Sequence, residues 1–109
     1  MKVMLNELER VDLEEFAKKH DLVMQVSERD VAAQLMGVAR YYANFKGVEV
    51  KKGLTLEGAH GNGNTPEKAI EDYCKEISGK WIVVNAYGPG RALIYTPHLV
   101  PVFTMEVQA

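Results

Sequence analysis

The amino-acid sequence predicts a single α+β domain over residues 1–109. We expect an antiparallel sheet of four to five strands with two helices packed on one face, in the order α-β-β-β-α-β-β. Two segments repeat apolar residues at the spacing of a helix, and the segments between them alternate apolar and polar residues as strands do. The connections between strands are short, and short connections join antiparallel neighbours. A chain of 109 residues is long enough for one hydrophobic core.

The first helix is predicted over residues 12–20. Asp12 and Glu15 have the spacing of a capping box, and an apolar stripe at helical spacing accompanies them. This stripe consists of Leu13, Phe16 and Ala17. Residues 22–27 then alternate apolar and polar side chains, which predicts the first strand. The stretch 30–37 is short and mixed in composition, so a single helical turn and a loop both stay open.

A bulged strand is predicted over residues 40–50. Its alternating apolar residues change parity at Lys46-Gly47, and one extra residue there returns the later side chains to the face of the earlier ones. The side chains concerned are Tyr41, Ala43, Phe45, Val48 and Val50. This pattern predicts one strand that bends without changing its buried face.

The remaining strands are predicted from alternation and turn residues. After a turn at residues 51–53, residues 54–59 return as a hairpin partner, with Leu54 and Leu56 expected to face inward. Residues 81–86 form the next strand. A turn at residues 88–90 follows, after which residues 92–95 and 100–107 are expected to add one or two edge strands.

The second helix is predicted over residues 66–78. Thr65 is expected to cap it through its hydroxyl, and Pro66 fits the first helical position, whose amide has no partner within the helix. The expected buried stripe is Ala69, Ile70, Tyr73, Cys74 and Ile77. The glycine-asparagine segment before the helix, residues 61–64, is interpreted as a loop whose glycines supply positive φ. An anion site at the amides of the helix start is the alternative.

Composition and charge limit the classes of function. The net charge of −2 and the pI of about 5.9 give no global basic field that would hold a nucleic-acid backbone. A single cysteine excludes an internal disulfide and fits a reducing compartment. No signal-peptide pattern opens the chain, and no apolar run reaches the length of a membrane span. The sequence therefore predicts a cytoplasmic protein without a membrane partner.

No residue pattern predicts catalysis. His20, His60 and His98 have no second ligand at metal-binding spacing, and Cys74 lies on the apolar stripe with no histidine near it in sequence. The sequence therefore predicts that the protein is not an enzyme and needs no cofactor or metal. His60 is singled out only because it adjoins the glycine-asparagine segment.

Candidate binding residues lie in two places. The hairpin at residues 40–52 mixes basic and aromatic side chains, which neutralise phosphates and stack on bases in proteins that bind single strands. Its candidate residues are Arg40, Tyr42, Lys46, Lys51 and Lys52. The glycine-asparagine segment and the residue before it add His60, Asn62 and Asn64. A solvated sheet face is the alternative interpretation of the hairpin residues.

Acidic residues cluster around the first helix and the segment before it. They are Glu7, Glu9, Asp12, Glu14 and Glu15. A solvated face that interacts favourably with the helix N-terminus accounts for them, and a surface that engages a basic partner is the alternative.

The block at residues 41–78 has two resemblances in outline. Its strand-strand-strand-helix order resembles a double-stranded-RNA-binding domain, although the lysine cluster that such domains carry at the start of the last helix is reduced here to Lys68. The block also resembles HicB-like antitoxin domains, in which a bulged sheet leads through a glycine-containing loop to a similar helix start. The matching helix start is Thr65-Pro66-Glu67-Lys68-Ala69.

A further resemblance covers residues 61–97. This segment is similar to small uncharacterised proteins of tailed bacteriophages and prophages that share a Gly-x-Gly-x-Thr-Pro-Glu-x-Ala-Ile core. The matching residues are Gly61, Gly63, Thr65, Pro66, Glu67, Ala69, Ile70 and Tyr73, then residues 77–80, the strand at residues 81–86, and Arg91. The resemblance implies a phage or prophage origin and brings no catalytic residues.

The sequence thus leads to an expectation of binding without catalysis. We expect a phage-type accessory protein of the bacterial host cell that binds a host or phage macromolecule, with another protein as the first choice of partner. The alternative is a nucleic-acid-binding module that uses the hairpin at residues 40–52. A monomer and a homo-oligomer both stay open.

Overall fold

The computed structural model describes residues 10–104 and confirms the α+β class. The helices are α1 (Leu13–Lys19), α2 (Val31–Leu35) and α3 (Pro66–Ile77). The first five strands are β1 (Arg10–Asp12), β2 (Met24–Glu28), β3 (Tyr41–Phe45), β4 (Val48–Lys52) and β5 (Thr55–Glu57). The last four are β6 (Gly61–Gly63), β7 (Trp81–Val84), β8 (Ala92–Tyr95) and β9 (His98–Val100).

The strands are distributed over two antiparallel sheets and one short parallel pair. The three-stranded sheet has the order β2-β3-β6, and the four-stranded sheet has the order β5-β4-β7-β8. Strand β1 pairs in parallel with β9, so the two ends of the described chain meet. The hydrophobic core joins residues of α1, α3 and the inner faces of both antiparallel sheets.

The predicted bulge returns its side chains to one face, as expected. Ala43, Phe45, Val48 and Val50 are all buried in the core. The backbone, however, divides at the Lys46-Gly47 turn into two strands rather than one, because β3 pairs with β2 and β6 whereas β4 pairs with β5 and β7. This turn is therefore the point at which the chain passes from one sheet to the other.

The hairpin of β4 and β5 is present, but its inward residues were predicted wrongly. Leu54 occupies the turn and is fully exposed. Leu56 pairs with Lys51, next to the buried Val50, and side chains alternate along a strand. Leu56 therefore lies on the outer face of the four-stranded sheet, opposite to the core.

Helix α1 and the chain ends show smaller differences. Leu13 and Phe16 are buried as predicted, but the Asp12 side chain forms no capping hydrogen bond, so the capping box is wrong. Asp30 does cap α2 by accepting from the Ala33 N–H at 2.8 Å, which decides for a helical turn in that segment. The last predicted strand begins earlier, at β9, and residues 101–104 are not a strand. Residues 105–107 of that prediction lie outside the described residues, as do Glu7 and Glu9.

Helix α3 agrees with its prediction closely. The Thr65 hydroxyl accepts a hydrogen bond from the Lys68 N–H at 3.2 Å, and Pro66 occupies the first helical position. All five residues of the expected stripe are buried, namely Ala69, Ile70, Tyr73, Cys74 and Ile77. The residue after the C-cap, Gly79, has a φ of +74°, which allows the chain to leave the helix.

The glycine segment is a strand and not a loop, which corrects the prediction. Strand β6 pairs with β3 and lies directly against α3. A Cβ at Gly61 would lie 2.1 Å from the Tyr73 nitrogen, and one at Gly63 would lie 2.5 Å from the Ala69 nitrogen. Neither glycine is among the residues with positive φ. These glycines are required because the strand and the helix backbone approach each other too closely for any side chain.

Candidate binding surface

The outer face of the four-stranded sheet carries an aromatic face, which we define as Trp81, Val83, Leu93 and Tyr95. Trp81 is the register partner of Tyr95, and Val83 is the partner of Leu93. The rings of Trp81 and Tyr95 meet edge to face with their centroids 5.3 Å apart. Val83 is fully buried, whereas Trp81, Leu93 and Tyr95 are 47%, 51% and 46% exposed.

Sequence reasoning missed the aromatic face, although a signal for it exists. A sheet with helices on one side needs apolar residues at every second position only. Strand β7 reads Trp-Ile-Val-Val and strand β8 reads Ala-Leu-Ile-Tyr, so both are apolar at every position. Ile82, Val84 and Ile94 pack on the core side. The side chains of opposite parity, Trp81, Val83, Leu93 and Tyr95, are therefore presented outward.

Charged residues of both signs border the aromatic face. Glu49 on β4 is the register partner of Val83. Lys51 follows two positions later on the same side of β4, opposite Leu56. The border therefore has no single sign of charge.

The outer face of the three-stranded sheet is different, and we call it the polar face. It consists of Gln25, Ser27, Tyr42, Asn44 and Asn62, which are register partners on neighbouring strands and alternate with core residues. Tyr42 is its only aromatic residue. The His60 ring meets the Tyr42 ring edge-on at 5.9 Å between centroids.

Arg29 organises the polar face from the end of β2. Its guanidinium lies over the Tyr42 ring, 4.9 Å from the centroid, and donates to the carbonyls of Ala39 at 2.6 Å and Tyr41 at 3.2 Å. It also donates to the Asn62 side-chain oxygen. Arg29 is thus engaged with its own chain on several sides, a role that the sequence did not indicate.

The predicted basic residues are not gathered into one patch. Arg40 pairs with Glu28 at 2.8 Å, and this hydrogen bond raises the pKa of Arg40. Lys52 pairs with Glu57 at 3.0 Å. Of the other two, Lys46 is exposed in the turn between the two sheets and Lys51 borders the aromatic face.

The asparagines of the glycine segment are also used internally. The Asn62 N–H donates to the Asp72 carboxylate at 2.8 Å, and the Asn64 side-chain oxygen accepts from the Arg40 N–H at 3.3 Å. The backbone amide at the centre of β6 is therefore already hydrogen-bonded to a carboxylate of the same chain. This arrangement favours the structural interpretation of the segment over an anion site.

The side chains with acid–base or nucleophilic chemistry are dispersed. Burial raises the pKa of Tyr73 and of the Cys74 thiol to about 12, so both stay protonated near neutral pH. Partial burial, together with Lys19, lowers the pKa of His20. Within residues 10–104, no three histidine, cysteine or acidic side chains are grouped as metal ligands would be.

Comparison with known proteins gives no assignment. The chain matches no protein-family model, and neither a curated protein nor a solved structure shows significant similarity to it. Among the described residues, no helix is long and apolar enough to cross a membrane. A functional conclusion must therefore come from the surface of this molecule.

Proposed function

We propose that this protein acts by binding another protein on its aromatic face, without catalysing a reaction. One observation carries the proposal: Trp81, Leu93 and Tyr95 lie together on one sheet face and each keeps about half of its surface exposed. Single exposed apolar residues are ordinary, whereas a contiguous patch is typical of an interaction site. Trp and Tyr are also enriched among the residues that dominate binding energy.

The charges around the face support a protein partner over a nucleic acid. Protein interfaces combine an apolar centre with a polar border, and here Glu49 and Lys51 provide both signs at the border. A phosphate backbone requires concentrated positive charge. Arg40 and Lys52 instead pair with acids of the same chain. We include in the proposal a cytoplasmic partner from a phage or its bacterial host, supported by the single cysteine and the phage-type core.

The test compares two leucines that are both exposed. Leu93 lies on the aromatic face and Leu54 lies in the turn between β4 and β5. Parent, Leu93→Ser and Leu54→Ser proteins serve as bait in a lysate of the cells that express the gene, and the partner is then purified. We expect Leu93→Ser to weaken binding by roughly tenfold or more and Leu54→Ser to leave it unchanged.

The affinity is measured through the emission of Trp81, the only tryptophan of the chain. Covering the indole on binding is expected to shift its emission to the blue. Equal binding by Leu93→Ser and the parent would contradict the proposal. A nucleic-acid partner whose affinity falls steeply between about 50 and 200 mM salt would favour the alternative function. If the parent self-associates and Leu93→Ser is monomeric, the partner is a second copy of this chain.

A further inference from the structure

Beside the aromatic face, a cleft of about 640 Å³ opens between the β3–β4 turn and the loop that follows β7. Glu49 lies on the β4 side of this cleft, and Asn85 and Tyr87 lie on the loop side. The Asn85 N–H donates to the Gly47 carbonyl at 3.1 Å, which ties the loop to the turn. Asn85 itself has a φ of +52°, so the loop leaves β7 in a sharp bend.

The electrostatics of the cleft select its ligand. Glu49 is the only charged residue in its lining, and within residues 10–104 its carboxylate forms no salt bridge. Tyr87, also in the lining, is 87% exposed, so its ring is accessible. A carboxylate attracts a cation, and the face of an aromatic ring adds to that attraction. One carboxylate is too few for a divalent metal ion, which needs several oxygen ligands.

We propose that this cleft is a subsite for a lysine or arginine side chain of the partner protein. The proposal deepens the proposed function and rests on it for its biological role. Glu49 is directly opposite Val83 in the sheet register, so the cleft adjoins the aromatic face. A partner segment that places an apolar residue on that face reaches Glu49 with a basic residue close by. The partner is therefore a protein with an apolar residue beside a cationic one.

Two lysines of this chain lie close to Glu49 in the sequence. Lys51 lies two residues beyond Glu49 on the same face of β4, and Lys46 adjoins Gly47, which lines the cleft. Both repel a second positive charge. A bound lysine or arginine is therefore held at Glu49, and Lys51→Gln is expected to strengthen its binding.

The subsite is tested with a small probe and needs no partner. The backbone amide signals of the protein are followed by NMR while N-acetyl-arginine amide is added, and N-acetyl-citrulline amide serves as the uncharged control of nearly the same shape. We expect saturable shifts at Glu49, Asn85 and Tyr87, with a Kd of roughly millimolar size for a ligand so small. Citrulline is expected to bind at least about tenfold more weakly, because it lacks the charge.

Variants complete the test. Glu49→Gln, which keeps the shape of the side chain, is expected to weaken arginine binding by about tenfold, and Glu57→Gln on the neighbouring strand is expected to leave it unchanged. Three results would each contradict the subsite. The arginine and citrulline probes could bind equally, arginine binding could persist in Glu49→Gln, or the NMR shifts could lie at residues outside the cleft. Such a result together with a partner that still depends on Leu93 would leave the proposed function intact. Probe binding at Glu49, together with a partner whose affinity does not depend on Leu93, would support the subsite and contradict the proposed function.

Discussion

The polar face and the aromatic face are both outer sheet surfaces, but they use their side chains differently. On the polar face the groups bind one another: Arg29 donates to backbone carbonyls and to Asn62, whose N–H donates to Asp72. On the aromatic face Trp81 and Leu93 have neighbours and still remain half exposed. The polar face has more hydrogen-bonding groups, but these groups already bind other groups of the same chain.

The physical reason lies in what each kind of side chain gains from a partner. A polar group that exchanges water for a protein group gains only about 0.5–1.5 kcal/mol. Exposed apolar surface gains about 25 cal/mol for each Å² that is covered. The aromatic face therefore retains a driving force for association that the internally bonded polar face lacks.

The largest effect is expected when β6, which carries Asn62 on the polar face, is forced off α3. The Cβ of Gly61→Ala would lie 2.1 Å from the Tyr73 nitrogen and 2.2 Å from the Ala69 carbonyl oxygen, so the helix backbone must shift. We expect a loss of more than about 4 kcal/mol in the free energy of unfolding, measured with urea. Gly58→Ala is the control: its Cβ meets nothing within 4 Å, and we expect a change within about 0.5 kcal/mol. A Gly61→Ala protein as stable as the parent would show that β6 does not lie on α3.

A smaller effect is expected when the internal bonding of the polar face is removed. Arg29→Met keeps a long apolar stem but leaves the carbonyls of Ala39 and Tyr41 without their donor, at a cost of about 1–3 kcal/mol in the free energy of unfolding. Arg40→Met removes an exposed guanidinium whose partner is Glu28, and we expect the urea midpoint to stay at that of the parent. If the two variants behave alike, Arg29 does not organise the polar face.

The smallest effect is expected at the helix caps. Thr65→Ala removes the hydroxyl that accepts from Lys68 and should lower the free energy of unfolding by about 1 kcal/mol, as measured by thermal melting. Asp12→Ala should destabilise the protein less, because the Asp12 side chain forms no capping hydrogen bond with α1. An effect at Asp12 equal to that at Thr65 would show that the capping box forms in solution.

The extent to which the sequence predicted the fold depends on how local the interactions are. The stripe and cap of α3 were predicted residue by residue, because a helix places neighbours in space at fixed intervals of the chain. The prediction that Leu56 faces inward is wrong because alternation shows which residues share a face and not which face is buried. Leu54 is exposed because it lies in the turn before β5. Only the burial of Val50 on the neighbouring strand decides which parity faces the core.

The candidate site was predicted less well than the fold. Tyr42, His60 and Asn62 do lie near one another, but their contacts are with each other and with Arg29. Charge alone marks the candidate basic residues in the sequence, and the pairing of Arg40 with Glu28 and of Lys52 with Glu57 is not visible there. For Trp81 the alternation pattern predicts only a strand, although the uninterrupted apolar character of that strand indicates a second apolar face.

Sequence patterns alone predict the α+β class, the start and cap of α3, and the return of the strand residues to one buried face at Lys46-Gly47. Each of these follows from periodicity and backbone preference within a few residues. Tertiary contacts explain why Gly61 and Gly63 must be glycine, which cations are neutralised, and which apolar side chains remain outward. Those outcomes depend on the backbone of α3, on Glu28 and Glu57, and on the side of the sheet that the helices cover, all of which are brought together only by folding.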